Sequence, residues 1–363
     1  MTEPQSYARL AREMESFAAQ LGRGAAMLAA GRRVSIGATP KEAVYRKDKL
    51  VLYRYRPTEA IDVEPVRTPL LICYALVNRP YVLDLQPDRS LIAGLLRRGI
   101  DVYLIDWGYP DGADRYLDLE DYVLRYLAKC AQVVARNSGR ERISLLGVCQ
   151  GGALSLCYAA LHPERLSNLV TMVTPVDFHT PENLLAKWSR HVDVDALAAA
   201  TGNVPGDWLN GLFLALMPWR LTSQKYVHLL DELGRGGDSE ALIENFLRME
   251  QWIFDSPAQA GAMFRRFLQE FVRENRLARG ELQIGGRRVR LENIRMPVFN
   301  VYARKDHLVP PSSSTVLERL LGSTDYTAYE FEGGHIGIYV SATAQREIPE
   351  RLARWLRQRD NPA

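Results

Sequence analysis

Residues 142–163, RISLLGVCQGGALSLCYAALHP, constrain the fold of this chain more than any other stretch. They read as a strand, a tight Gly-x-Cys-x-Gly turn, and a helix stopped by Pro163, whose ring cannot continue it. A nucleophile at such a strand-to-helix elbow sits in strained backbone geometry, so its neighbours must be small. Gly147 and Gly151 meet that demand, and Gly152 gives the helix further room to approach. The elbow holds the Cys149 side chain at the carboxyl end of a sheet, where ligands bind in open α/β folds. Partial positive charge at the helix amino terminus favours thiolate over thiol there. Hydrolases with this turn usually carry serine at its centre, so the sulfur needs a chemical reason.

The flanking sequence continues the alternation. PLLICYAL (69–76) is the continuous apolar run of a strand buried on both faces. Ser90 is the expected N-cap of SLIAGLLRRG, which Gly99 ends. DVYLIDW (101–107) is the next strand, a helix is expected over roughly Leu119–Asn137, and LSNLVTMVTPV gives the strand after the elbow helix. Upstream, EAVYRKDKLVLYRYRP reads as a hairpin turning at Lys-Asp-Lys. Residues 7–28 carry an apolar stripe at three- and four-residue steps, which predicts an amphipathic helix. Alternation at this pace implies a mostly parallel central sheet covered by helices on both faces.

Between about 180 and 290 the rhythm breaks into helical, aromatic sequence containing Trp188, Trp208, Trp219 and Trp252. Strand-like runs return at MPVFNVYAR (296–304) and YTAYEFEGG (326–334), and a helix ends the chain. A sheet interrupted and later resumed is the mark of a cap inserted over an active site. The expected organisation is therefore an N-terminal helical segment, 1–40, a core of 41–179 and 291–363, and a cap, 180–290.

Composition narrows the partners. The 363 residues are 47% hydrophobic and 25% charged, enough to bury a sizeable core, and a net charge of +3 is too balanced to argue for nucleic acid. The amino terminus carries Glu3, Glu13 and Glu15 and has no unbroken apolar core, unlike a secretory signal or an arginine-rich transit peptide. No segment approaches the ~20 apolar residues of a membrane span, so a cytoplasmic protein is expected. The spacing of Cys73, Cys130, Cys149 and Cys157 matches no disulfide frame and no metal site. All but Cys149 read as small buried hydrophobes.

In folds with this elbow the partners follow the nucleophile as acid, then histidine. Of six histidines, His162 caps a helix, His179, His191 and His228 lie at or within the cap, and His307 directly follows an aspartate. His335, in the glycine-flanked loop EGGHIGIY after the last strand, stands in the expected place. The acid is Asp306, at the tip of the strand before it; its rival Asp177, in TPVDF, reads as the cap of a turn. Oxyanion donors are expected from the backbone amides of Gln150 and of Val77, which begins VNRPY. Asn78 and Arg79 would hold that second loop in place.

Together, YALVNRPYVLDLQPDRS, DVYLIDWGYPD, LLGVCQGGALSL, NLVTMVTPVDF, FLRMEQWIFDSPAQAG and DHLVPPSSS…GGHIGIYVS closely resemble the catalytic subunit of class III polyhydroxyalkanoate (poly-3-hydroxybutyrate) synthases. The resemblance runs from about Pro40 to the C-terminal helix. It implies an α/β-hydrolase fold with an inserted, mainly helical cap. By position it puts the nucleophile on Cys149, the aspartate on Asp306, the histidine on His335 and the loop amide on Val77. It further implies an (R)-3-hydroxyacyl-CoA substrate, typically the 3-hydroxybutyryl thioester, and a growing polyester at a cytoplasmic storage granule. It also implies an oligomer, a second, non-catalytic subunit, and no cofactor beyond the CoA that the substrate brings and releases.

Sulfur then has a reason. Moving an acyl group from CoA to cysteine exchanges one thioester for another at little free-energy change, and keeps the downhill thioester-to-ester step for chain growth. In the expected mechanism His335 draws the proton from Cys149, and the thiolate attacks the CoA thioester. A 3-hydroxyl activated by His335 or by Asp306 then attacks an acyl-cysteine. Whether the chain stays on one cysteine or leaves and returns is open at this point. Water competes, and a closing apolar cap favours polymer; a cap that must also open predicts a lag before full activity. One rival is a cysteine-dependent hydrolase, a thioesterase, esterase or lactonase with the same site. The other is a granule-coating protein without catalysis, against which the intact set of nucleophile, acid and histidine speaks. Arg248, Arg265 and Arg266 are candidates for the CoA phosphates, with solvated helix faces as the alternative account.

Overall fold

A strand that is apolar at every position must be covered on both sides, and this requirement organises the molecule. The computed structural model describes residues 34–216, 225–234 and 239–360; the helix expected over 7–28 lies outside them. One sheet of eight strands forms the centre. Its members are β1 (Lys41–Lys47), β2 (Leu50–Tyr55), β3 (Leu70–Cys73), β4 (Val102–Asp106), β5 (Ile143–Val148), β6 (Leu166–Met172), β7 (Val298–Ala303) and β8 (Tyr326–Phe331). They lie side by side as β1-β2-β4-β3-β5-β6-β7-β8. Strand β2 runs antiparallel to both neighbours, and from β4 to β8 every pairing is parallel. The β1–β2 hairpin turns at Asp48, whose φ of +53° an aspartate tolerates.

Alternate strand residues feed two different cores. Leu71, Cys73, Ile105 and Leu145 join a cluster on one face with Cys130 and Val134 of α2 (Ala128–Ser138) and Leu154 of α3 (Gln150–Leu161). Leu70, Ile72, Leu104 and Leu146 join the other, with Ile92 of α1 (Leu91–Leu96) and Leu352 and Trp355 of the C-terminal helix, Ala342–Gln358. Each Leu or Ile removed from water there contributes roughly 1.5–3 kcal/mol. Ser90 caps α1 by accepting from Ala93 N. The helix expected from Leu119 opens instead with wide π turns over Asp121–Leu127 before it becomes α2, a distinction that apolar spacing does not carry.

Helices fill the stretch between β6 and β7: α4 (Leu184–Ser189), α5 (Val194–Thr201), α6 (Gly206–Leu216), α7 (Lys225–Gly234), α8 (Ser239–Phe254) and α9 (Gly261–Arg266). Val194, Val204, Leu209 and Phe264 form a small cluster of their own. From Met263 onward the character changes, since Phe271, Leu282, Ile284, Val289 and Ile294 pack into the core under the sheet. Among the described residues no helix is long and apolar enough to cross a membrane.

Candidate active site

Strand β5 ends and α3 begins at Cys149, with φ +53° and ψ −123°. A non-glycine residue held there stores about 1–3 kcal/mol of backbone strain. The turn survives because nothing around it has bulk. A Cβ on Gly147 would stand 2.5 Å from Gly152 Cα, and one on Gly151 would strike the carbonyl oxygens of Cys73 and Tyr74. Cys149 is the one cysteine with exposed surface; the other three are buried. Burial pushes the Cys73 thiol up to about 12 and raises Cys130 and Cys157 as well.

His335 Nδ1 lies 2.7 Å from Asp306 Oδ2. The Asp306 side chain is 0% exposed and that of His335 8%. The other carboxylate oxygen, Oδ1, accepts from the amides of Leu308 and Val309, each at 2.9 Å. Burial works against a charged imidazole, but the Asp306 carboxylate, and after it the Cys149 sulfur within hydrogen-bonding reach, raise His335 to about 10. Tyr339 meets the His335 ring edge-on at 6.0 Å, closing that side to water. Asp177 lies elsewhere: its Oδ1 accepts from the His179 amide and from Asn275 Nδ2, so it caps a turn and braces the segment after α9.

Gln150 opens α3, so its backbone N–H has no partner within the helix. Its side chain has a role that sequence spacing missed: Oε1 accepts from Leu76 N at 3.2 Å, binding the loop after β3 to the elbow. Val77 follows, lining the same cavity as Cys149 and His335. Asn78, at φ +56°, donates through Nδ2 to the carbonyls of Trp252 and Ile253 and to Ser256 Oγ. The Trp252 indole donates back to the Arg79 carbonyl at 2.8 Å, and Arg79 pairs with Asp106 at 2.6 Å. Sequence reasoning noted Trp252 only as part of an aromatic stretch and overlooked Ser256. Both meet the loop across more than 170 residues, which no local signal reports.

An apolar cavity of about 240 Å³ opens over Cys149. At about 30 Å³ for each water in the liquid, that is room for roughly eight waters, space enough for a short acyl group. Phe178, Trp208, Phe213 and Phe267 line it beside Cys149 and His335. The three arginines considered for CoA are already engaged. Arg248 bonds Glu244, Gln86 and the Ser35 carbonyl, Arg265 pairs with Asp195, and Arg266 bonds Asp118, Glu120 and Glu270. Among the described residues no cluster of His, Cys, Asp and Glu has a metal-binding arrangement.

A thiol, a histidine and a buried carboxylate in this geometry can carry out nucleophilic chemistry, and comparison with known proteins identifies the family. Residues 68–342 match the family model of the alpha/beta hydrolase fold, and residues 8–95 match that of the poly-beta-hydroxybutyrate polymerase (PhaC) N-terminus. The chain is 52% identical to the poly(3-hydroxyalkanoate) polymerase subunit PhaC of Allochromatium vinosum, over 97% of this chain and 98% of that one. The proteins of the same name from Thiocystis violacea and Synechocystis are each 51% identical, over 97% and 97%, and 90% and 86%, of the respective chains. Among solved structures, a monoacylglycerol lipase from Paleococcus ferrophilus superposes with a TM-score of 0.52 at 18% identity, over 85% of this chain and 99% of that one. A thermophilic esterase from Thermogutta terrifontis gives 0.50 at 13%, over 89% and 99%. These two likenesses establish the α/β-hydrolase fold and nothing about the reaction.

Proposed function

The chain belongs to the poly(3-hydroxyalkanoate) polymerase PhaC family, and on that premise we propose that it polymerises (R)-3-hydroxyacyl-CoA, 3-hydroxybutyryl-CoA above all, through an acyl group carried on Cys149. The observation that carries the reading is the partly exposed thiol at a strained elbow, within reach of a histidine that a buried aspartate orients, under an apolar roof.

His335 takes the Cys149 proton, and the thiolate attacks the thioester carbonyl. The backbone amides of Gln150 and Val77 receive the oxyanion. The carbon–sulfur bond to CoA breaks, and the imidazolium returns its proton to the departing thiolate, so free CoA leaves. A 3-hydroxyl then gives its proton to His335 and attacks the acyl-cysteine; an ester forms, and the Cys149 thiolate leaves and is reprotonated. His335 rather than Asp306 is the base in both halves, since the Asp306 side chain has no exposed surface and its oxygens are occupied by His335, Leu308 and Val309. No cofactor enters, because CoA arrives on the substrate. Water exclusion by the aromatic cavity turns a hydrolase framework toward chain growth.

The same reading includes a second, non-catalytic subunit, an oligomer and a place at the granule surface; of these, the relatives' own name, polymerase subunit, supports only assembly with another subunit. Incubation with 3-hydroxybutyryl-CoA should release CoA and give turbid polyester, faster when a candidate partner subunit is added. Soluble 3-hydroxybutyrate as the only product would overturn the reading in favour of a thioesterase.

A further inference from the structure

We infer that Asn78 is a positioning residue that makes the oxyanion site depend on the docking of the cap. The inference rests on the reading of Val77 and Gln150 as oxyanion donors. The Asn78 side-chain amide is the junction of three elements. It is anchored in the loop after β3, directly beside Val77, and it donates to the Trp252 carbonyl at 3.3 Å and the Ile253 carbonyl at 3.1 Å in the last turn of α8. It also meets Ser256 Oγ at 2.8 Å. Carbonyl oxygens only accept, so Asn78 must present its NH2 group here, and Ser256 Oγ must accept from it. The Ser256 hydroxyl proton is then free for Asn210 Oδ1, 2.8 Å away on α6. A polar chain thus runs from the oxyanion loop through Ser256, just after α8, to α6, the helix whose Trp208 and Phe213 line the cavity.

Two further bonds join the cap to the same segment, one in each direction. Trp252 Nε1 donates to the Arg79 carbonyl at 2.8 Å, and Tyr81 Oη donates to Asp255 at 3.0 Å. On the other side the loop has one side-chain tie to the elbow, from Leu76 N to Gln150. Asn78 itself sits at φ +56°, a left-handed conformation that asparagine tolerates better than most residues. When α8 is docked, these bonds fix the backbone on either side of Val77. When α8 lifts, its carbonyls leave Asn78 and the Val77 amide loses its fixed direction. An opened cap therefore exposes Cys149 but lacks a complete oxyanion site, which suppresses hydrolysis while the site is wet.

Two reactions of Cys149 separate this role from a merely structural one. Alkylation by iodoacetamide needs the thiolate but no oxyanion donor; acylation by 3-hydroxybutyryl-CoA needs both. Asn78→Gly removes the amide and accepts the left-handed backbone. It should lower the ratio of acylation to alkylation rate by at least about tenfold, as expected when one oxyanion donor is misdirected. Trp252→Phe, which keeps an aromatic ring but deletes the indole donor together with part of the ring volume, should lower it by about threefold or more. The double variant should fall short of the product of the two, because both act on one loop. Alkylation and acylation slowing in step in both variants, or neither changing, would overturn the inference while leaving the polymerase reading intact. A wild-type protein that is alkylated but never acylated would overturn the reading, and the inference with it.

Discussion

His335 and Asp306 meet because β7 and β8 pair in parallel without a slip, from Val298 opposite Tyr326 to Ala303 opposite Phe331. Asp306 lies just beyond the end of one strand and His335 just beyond the end of the other. The loops that follow need only a short reach to close the 2.7 Å contact. Strand register therefore does the work that a sequence motif does elsewhere.

Removing the carboxylate should show this in two ways. Asp306→Asn should lower the rate of CoA release on the order of 10²–10⁴-fold, because the imidazole loses the partner that orients and charges it. It should also change the pH dependence of stability. His335 is raised in the folded protein from 6.5 to about 10. Its stabilising contribution is therefore complete below about pH 6.5 and is lost as pH rises toward 10. The gap in unfolding free energy between wild type and Asp306→Asn should thus be widest in mild acid and shrink through the alkaline range. Urea titrations at several pH values would measure it, and a gap that widens with pH would contradict the assignment.

Thiol chemistry should single out one cysteine. Burial holds Cys73, Cys130 and Cys157 inert, while Cys149 has surface and a histidine beside it. Native-state iodoacetamide should add one label, on Cys149, with loss of activity in proportion. Peptide mapping that finds the label spread over several cysteines would argue against the site.

The elbow should tolerate no added bulk. At Gly151 a methyl group meets the Cys73 and Tyr74 carbonyl oxygens, backbone atoms that cannot move aside. Gly151→Ala should therefore cost about 1–3 kcal/mol of stability. It should also cost most of the activity. Thermal unfolding and CoA-release assays together would test this; a variant as stable and active as wild type would show that the close approach is not needed.

Water exclusion should be separable from catalysis. Phe213 lines the cavity without contributing to the His335–Asp306 pair. Phe213→Ser should raise the share of soluble 3-hydroxybutyrate among the products severalfold, because a polar side chain admits water to the acyl-cysteine. Product analysis by chromatography reads the partition directly. An unchanged ratio would mean that other parts of the cap keep the site dry.

Much of this was legible in residue order. Ser90 as a cap, the hairpin around Asp48 and the buried strands within 69–76 and 142–148 follow from backbone preferences and apolar pattern, which neighbouring residues express by themselves, although the first strand stops at Cys73 and Tyr74–Leu76 enter the loop. The elbow glycines announce a strained turn for the same reason. The π turns of Asp121–Leu127 were not legible, because apolar spacing does not resolve a helix widened by one residue per turn. Nor was the tie from Gln150 Oε1 to Leu76, where a side chain expected to offer only its backbone amide fastens the facing loop.

The sequence alone determined the strand–helix order and the bend at Cys149, since each is written within a few neighbouring positions. Only the tertiary structure decided which acid meets His335, engaging the Asp177 carboxylate with the His179 amide and Asn275 instead, and how α8 grips the loop beside Val77. Those contacts join residues tens to nearly two hundred positions apart. Their energies come from burial and hydrogen-bond geometry, which exist only once the sheet has brought the ends of its strands together.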